Sequence, residues 1–180
     1  MEYFDIVDEN GNPTGQTKPR QEVHRDGDWH KAAHVWIINS QNQLLIQKRS
    51  SNKDSHPNMW DISSAGHILA GDALITTAIK EAKEELGIDL QEKDFEYLFT
   101  LRSQKVLNEG AFINNELDDV YLVKLDLDIS KLNIQKEELS EVKFTHFAEL
   151  EKIINSDDKN FVSHPEEYKK LFSELHKRYD

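Results

Sequence analysis

Residues 66–88 read GHILAGDALITTAIKEAKEELGI, and the fold and chemistry of the whole chain turn on them. Asp72 stands before an apolar-periodic segment and Gly87 just past its end, so the spacing predicts a helix over 73–86 with Asp72 in its N-cap region. At ~100° per residue, Ile75, Ala78, Ile79, Ala82 and Leu86 form an apolar stripe, while Glu81, Glu84 and Glu85 fall in a neighbouring arc of about 100°. One face packs and the next gathers three carboxylates. Like charges three and four positions apart oppose a helix by a few tenths of a kcal/mol per pair, so the cluster works against its own fold unless a divalent ion joins it. Hard oxygen donors of this kind select Mg²⁺ or Mn²⁺. A solvated surface helix is the plainer alternative, and the glycines fixed at both ends of the run weigh against it.

The run resembles the Nudix box: glycine, five residues, glutamate, seven residues, then Arg-Glu-aliphatic-x-Glu-Glu-x-Gly-aliphatic. Gly66, Glu81, Glu84, Glu85, Gly87 and Ile88 fit, with Ala82 at the aliphatic position. Asp72 and Lys80 replace the family's glutamate and arginine. Both changes keep charge, but lysine lacks the planar fork of arginine and aspartate is one methylene shorter. The resemblance implies an α/β fold, an α/β/α sandwich with a mixed central sheet, and hydrolysis of a diphosphate bond in a nucleoside diphosphate derivative or a related small molecule. It also implies that Glu81, Glu84 and Glu85 hold the metal, that the Gly66 carbonyl is a further ligand, and that Lys80 steadies a glutamate through an ion pair. Glu81 is the first choice for the residue that deprotonates the attacking water.

A chain of 180 residues with 37% hydrophobic content supports one sizeable core, so a single domain over 1–180 is expected. A net charge of −12 disfavours nucleic acid and anionic membranes, leaving a small diphosphate carried with metal as the partner. A homodimer is an admissible assembly. Cysteine is absent, which excludes disulfides, thiolate metal sites and a cysteine nucleophile. No membrane-length apolar run or secretory leader pattern occurs, and a cytoplasmic location is expected.

Alternation over 3–7, the turn Glu9-Asn10-Gly11-Asn12 and a short strand over 15–18 predict an N-terminal β-hairpin, followed by a helical turn over 19–24. Strands are expected over 33–39, 43–49, 60–63, 95–102, 116–127 and 142–145, a polar loop over 50–58, and helices over 148–155 and 164–178.

Outside the box, VHRDGDWHKAAHVWIIN, QNQLLIQKR, NMWDISSAGH and NNELDDVYLV resemble the Nudix branch that contains type I isopentenyl diphosphate isomerase. In those isomerases a metal is held by early histidines, by a histidine after the box glycine and by two later glutamates. Here His24, His30, His67 and Glu116 match those positions. The isomerase cysteine before the box glycine is Ala65, and one late glutamate is Asn114. Alanine carries no proton, so a hydrolase is expected on an isomerase-like branch, with isomerase activity the alternative. His24 and His30 flank a polar turn, so solvation competes with metal binding; His67 has the better case. Glu116 is expected as a further ligand or base, with Asp118 and Asp119 close by.

His34 reads as a hydrogen-bonded packing residue, and His56, His146, His164 and His176 offer no constellation. Arg49, Lys48, Arg20 and Lys53 are candidates for holding substrate phosphates. A base-stacking ring is sought among Trp29, Trp36, Trp60, Phe112 and Tyr121, which otherwise belong to the core.

Overall fold

The computed structural model describes residues 1–53 and 55–179; position 54 of the expected loop and position 180 of the expected domain span lie outside the described residues. The chain opens with an antiparallel hairpin of β1 (Tyr3–Val7) and β2 (Pro13–Pro19). In its turn the Asp8 carboxylate accepts the N–H groups of Asn10 and Asn12, both at 2.9 Å. α1 (Arg20–Asp26) follows Pro19, which has no N–H for the first turn to leave unpaired, and ends where Gly27 takes up φ 72°.

β3 (Trp29–Ile38) organises everything that follows. Its central residues are apolar on both faces, the pattern of a strand covered from two sides. Trp36 and Ile38 pack with Leu150 of α3 (Phe147–Asn155) and with Leu171, Phe172 and Leu175 of α4 (Pro165–Tyr179). Ala33, Val35 and Ile37 pack instead with Ala78, Ala82 and Leu86 of α2 (Leu74–Leu86). The result is helix, sheet and helix in three layers. Along its edges β3 pairs in parallel with β8 (Phe112–Lys124), from Trp29↔Asn115 to Ile38↔Lys124, and antiparallel with β1, β4 (Gln43–Arg49) and β6 (Ser64–His67). β5 (Trp60–Asp61) and β9 (Leu139–His146) extend β4, and β7 (Phe95–Leu107) extends β8. The sheet is mixed, as expected.

α2 begins at Leu74 with Ala73 as N-cap, and no side chain caps it; Asp72 is exposed and does not do so. Its C-terminus follows the expected rule, with Gly87 at φ 70° donating to Lys83 O at 3.0 Å. β7 and β8 run well past the expected 95–102 and start before 116, because each pairs the other out to Leu107↔Phe112. Among the described residues, no helix is long and apolar enough to cross a membrane.

Candidate functional site

A cleft of ≈550 Å³ opens where β6, α2 and the free ends of β3, β4, β7 and β8 meet. The box supplies one wall. β6 lies antiparallel to β3, with Gly66 opposite Ala33, and this delivers Gly66 directly beneath α2. A Cβ at Gly66 would stand 2.7 Å from Glu81 Oε1 and closer still to Glu81 Cγ. The glycine is there because the Glu81 carboxyl occupies the space a side chain would need. Glu85, one helical turn on, is buried, with Ser64 beside its carboxyl, and its Oε2 makes no hydrogen bond among the described residues. Burial pushes the Glu85 carboxyl up to about 8, with the charge of Glu81 adding to it. Burial and then Glu84 push Glu81 up to about 7. Glu84 is exposed and lines the same wall. Stacked carboxylates with an unpartnered oxygen are the donor set of a hard divalent ion, so these residues fit Mg²⁺ or Mn²⁺.

A second donor set adjoins the first. His24 on α1, His30 on β3 and His67 on β6 bring one ring nitrogen each to within 4.8 Å of one another. His24 Nδ1 lies 2.8 Å from Arg20 O and His30 Nδ1 lies 3.1 Å from Asp28 O, so each ring has its outer nitrogen tied to a backbone carbonyl and its Nε2 turned inward. His67 Nε2 is 2.9 Å, and His30 Nε2 3.6 Å, from Glu116 Oε1. His30 Nε2 is buried without a hydrogen bond. Burial lowers His24 to about 4 and also lowers His67, which favours the neutral, ligating forms. Burial opposes the charge on Glu116, yet His30 and His67 hold it well below the usual carboxylate range. Outer nitrogens of His24 and His30 tied to carbonyls, with the inner ones gathered beside a carboxylate, match the way ligating imidazoles are oriented. The rings are fixed by Phe4, stacked on His30 and His67 at 5.2 and 4.9 Å, and by Phe112, stacked on His24 at 4.2 Å. Asn114 bridges the set, 3.0 Å from His24 Nε2 and hydrogen-bonded to Glu116 Oε2.

Basic residues line the cleft as well. Arg49 reaches it while donating to Asp61 Oδ2 at 3.2 Å and to Ser55 O at 3.1 Å. Arg20 lines it beside its 2.8 Å ion pair with Glu2, and Lys53 lines it while paired with Glu138. Lys105, from β7, forms no ion pair among the described residues, and sequence reasoning missed it because nothing local marks the end of β7 as cleft-facing. Two expectations need correction. Lys48 does not line the cleft; strand alternation turns it away from Gln47 and Arg49, and its ammonium sits 5.9 Å from the Trp60 ring. Lys80 lines the cleft, exposed on α2, and its charge acts on Glu81, but it makes no ion pair to a carboxylate within 4.0 Å among the described residues. Of the aromatic candidates, Phe112 lines the cleft and Trp36 is core.

His34 is buried and bonded to Glu167, as its packing role required. His164 departs from expectation. Its Nε2 meets Asp61 Oδ1 at 2.9 Å and its ring lies on the cleft floor; the partners are 103 residues apart, a pairing no local pattern announces.

A family model described as the NUDIX domain matches residues 28–164. The chain belongs to the Nudix family. It is 46% identical to Nudix hydrolase 3 of Arabidopsis thaliana over 182 residues, which covers 98% of this chain and 24% of that protein. It therefore spans about a quarter of the length of that relative. It is also 32% identical over 145 residues to an isopentenyl-diphosphate Delta-isomerase of Pectobacterium atrosepticum, covering 81% of this chain and 76% of that one. In fold it is similar to the crystal structure of DR0079 from Deinococcus radiodurans, with a TM-score of 0.72, 20% identity, and coverage of 99% of this chain and 100% of that one.

Proposed function

We propose that the chain hydrolyses a phosphoanhydride bond in a nucleoside diphosphate derivative or a related small diphosphate, with Mg²⁺ or Mn²⁺ bound. The observation that carries this reading is the Glu81 carboxyl lodged on Gly66 beside buried Glu85, whose Oε2 makes no hydrogen bond among the described residues, in a cleft that Arg49 and Lys105 also line. Glu81, Glu84, Glu85 and the Gly66 carbonyl would hold one dication, and His24, His30, His67 and Glu116 a second. Bound there, the ions would supply positive charge against the phosphoryl oxygens. The chain's own groups do the rest. Arg49 and Lys105 hold phosphate oxygens with N–H donors. Glu81, lodged against Gly66, takes the proton of the attacking water as the new P–O bond forms and the anhydride P–O bond breaks. The leaving phosphate departs with the bonding electron pair.

The histidine and Glu116 set, together with the isomerase relative, favours alkene isomerisation as the second reading. That reaction needs a proton donor and an acceptor on opposite faces of a double bond, and Ala65, which lines the cleft, offers only a methyl group. Incubation with metal and a panel of nucleoside diphosphates, nucleotide sugars, dinucleotides and isoprenoid diphosphates tests both. Release of a phosphorylated product is expected, and Glu84→Gln with Glu85→Gln should abolish it in a folded protein. Turnover that survives those changes would place the chemistry elsewhere; rearrangement of the isoprenoid alkene alone would make the chain an isomerase.

A further inference from the structure

Below both metal-ligand sets the cleft has a floor, formed by β3, β5 and the start of α4. His34 and His164 stand there edge to face, with ring centroids 5.6 Å apart. Each has one nitrogen tied to a buried carboxylate: His34 Nδ1 lies 2.7 Å from Glu167 Oε2, and His164 Nε2 lies 2.9 Å from Asp61 Oδ1. Those carboxylates are anchored in turn. Trp36 Nε1–H donates to Glu167 Oε1 at 2.8 Å, while the Arg49 guanidinium and the Ile62 N–H donate to Asp61 at 3.2 and 2.9 Å. Turning either ring would strand a buried charge, so both orientations are fixed.

The second nitrogen of each ring makes no hydrogen bond among the described residues. Beyond His34 Nε2 the Asp118 carboxylate is 3.8 Å away, too far for a hydrogen bond, and His164 Nδ1 makes none among the described residues. Both residues line the cleft. Burial opposes a charge on His34, but Glu167 and Asp118 outweigh it and hold its pKa up to about 10, so Nε2–H is a standing donor. His164, tied through Nε2, offers a lone pair when neutral and an N–H when charged. Structural ion pairing accounts for the tied nitrogens and places Asp118 near His34 Nε2, but it leaves the hydrogen-bonding capacity of the second pair unmet. A hydrocarbon on this floor would leave polar groups unpaired, whereas a hydroxyl- or ring-nitrogen-bearing group would satisfy them.

We propose that His34 and His164 form a specificity subsite that reads hydrogen-bonding groups on the part of the substrate beyond its diphosphate, selecting a sugar- or base-bearing moiety and rejecting an isoprenoid chain. This deepens the phosphoanhydride reading and rests on it. The test uses the full chain with Mn²⁺ and two non-hydrolysable ligands, α,β-methylene ADP and an isopentenyl methylenediphosphonate, with Kd measured by calorimetry. The wild type is expected to bind the nucleotide analogue more tightly, and that preference should fall about tenfold or more in His164→Leu. His164→Asn, which keeps an N–H for Asp61, and His34→Gln, which keeps one for Glu167, serve where His164→Leu fails to fold. A wild type that prefers the isoprenoid, or folded variants whose preference stays within twofold of wild type, would overturn the proposal. Failure of hydrolysis is a separate result: a wild type that binds these analogues yet cleaves no diphosphate in the panel overturns the proposed reaction and leaves the subsite standing.

Discussion

Two kinds of buried carboxylate face the same cleft, and the protein treats them in opposite ways. Asp61 and Glu167 on the floor each have an imidazole and further donors, and although burial opposes their charge, these partners hold both carboxyls below the ordinary range. Glu85 in the box is equally buried but has an oxygen that makes no hydrogen bond among the described residues, and burial pushes it up to about 8. The floor is electrostatically finished within the polypeptide. The box end is complete only when something outside the chain brings positive charge, which is how an ion-binding site differs from a structural ion pair.

The sharpest break in this comparison comes from pH. Glu85 has a folded-state value raised from 4.5 to about 8, so its neutral form is the stable one. Its contribution is intact below about 4.5 and is lost as pH rises to about 8. The limit is on the order of 5 kcal/mol, at about 1.4 kcal/mol for each tenfold change in proton affinity. In EDTA, the advantage of Glu85→Gln over wild type in thermal unfolding should therefore grow from pH 5 to pH 8, and Mn²⁺ should cancel it. An advantage that stays flat across this range would mean that Glu85 is not an uncompensated charge.

The paired side gives the converse expectation. Glu167→Ala removes the carboxylate hydrogen-bonded to His34 and leaves only Asp118 at 3.8 Å to face its charge, so the cost should reach about 3 kcal/mol, the low end for breaking a buried pair. Urea denaturation at pH 7 measures it. Glu167→Gln, which keeps an acceptor for the imidazole, should lose less. A Glu167→Ala protein as stable as wild type would show that the floor network is not what fixes His34.

Local pattern carried the box and most of the fold. The α2 stripe, Gly87 and the N-terminal hairpin follow from periodicity and turn residues within about twenty positions of one another, while the mixed three-layer arrangement is what the resemblance to the Nudix box implied. The floor did not follow, because His34 meets Glu167 across 133 positions and His164 meets Asp61 across 103. Neither contact has a spacing rule, since each depends on where α4 docks on the sheet. Lys48 and Lys105 show the same limit from opposite sides: composition marks both as cations, and only strand register decides which of them faces the cleft.

Gly66→Ala sits between these regimes. The backbone of Gly66 is not in the left-handed region, so the cost falls on the Glu81 carboxyl that a methyl group would displace. Mn²⁺ affinity should drop by about tenfold or more, near 1.4 kcal/mol, with the fold retained. Calorimetric titration reads the affinity, and unchanged binding would mean that the close approach of Glu81 to Gly66 does not position a ligand.

The smallest effects separate the cations. Lys48→Ala removes an ammonium that lies over Trp60 outside the cleft, so KM should stay within about twofold and stability within about 0.5 kcal/mol. Lys80→Ala, exposed and without an ion pair among the described residues, should change stability as little. Lys105→Ala removes a cleft cation that forms no close ion pair among the described residues, and the loss of a charge-assisted contact to phosphate should raise KM roughly fivefold or more. Measured side by side on one diphosphate substrate, Lys48→Ala and Lys105→Ala ask whether position on the cleft, rather than charge alone, governs phosphate binding. Equal shifts from both would mean that the basic residues act through their overall field, and the residue-by-residue assignment of phosphate contacts would have to be given up.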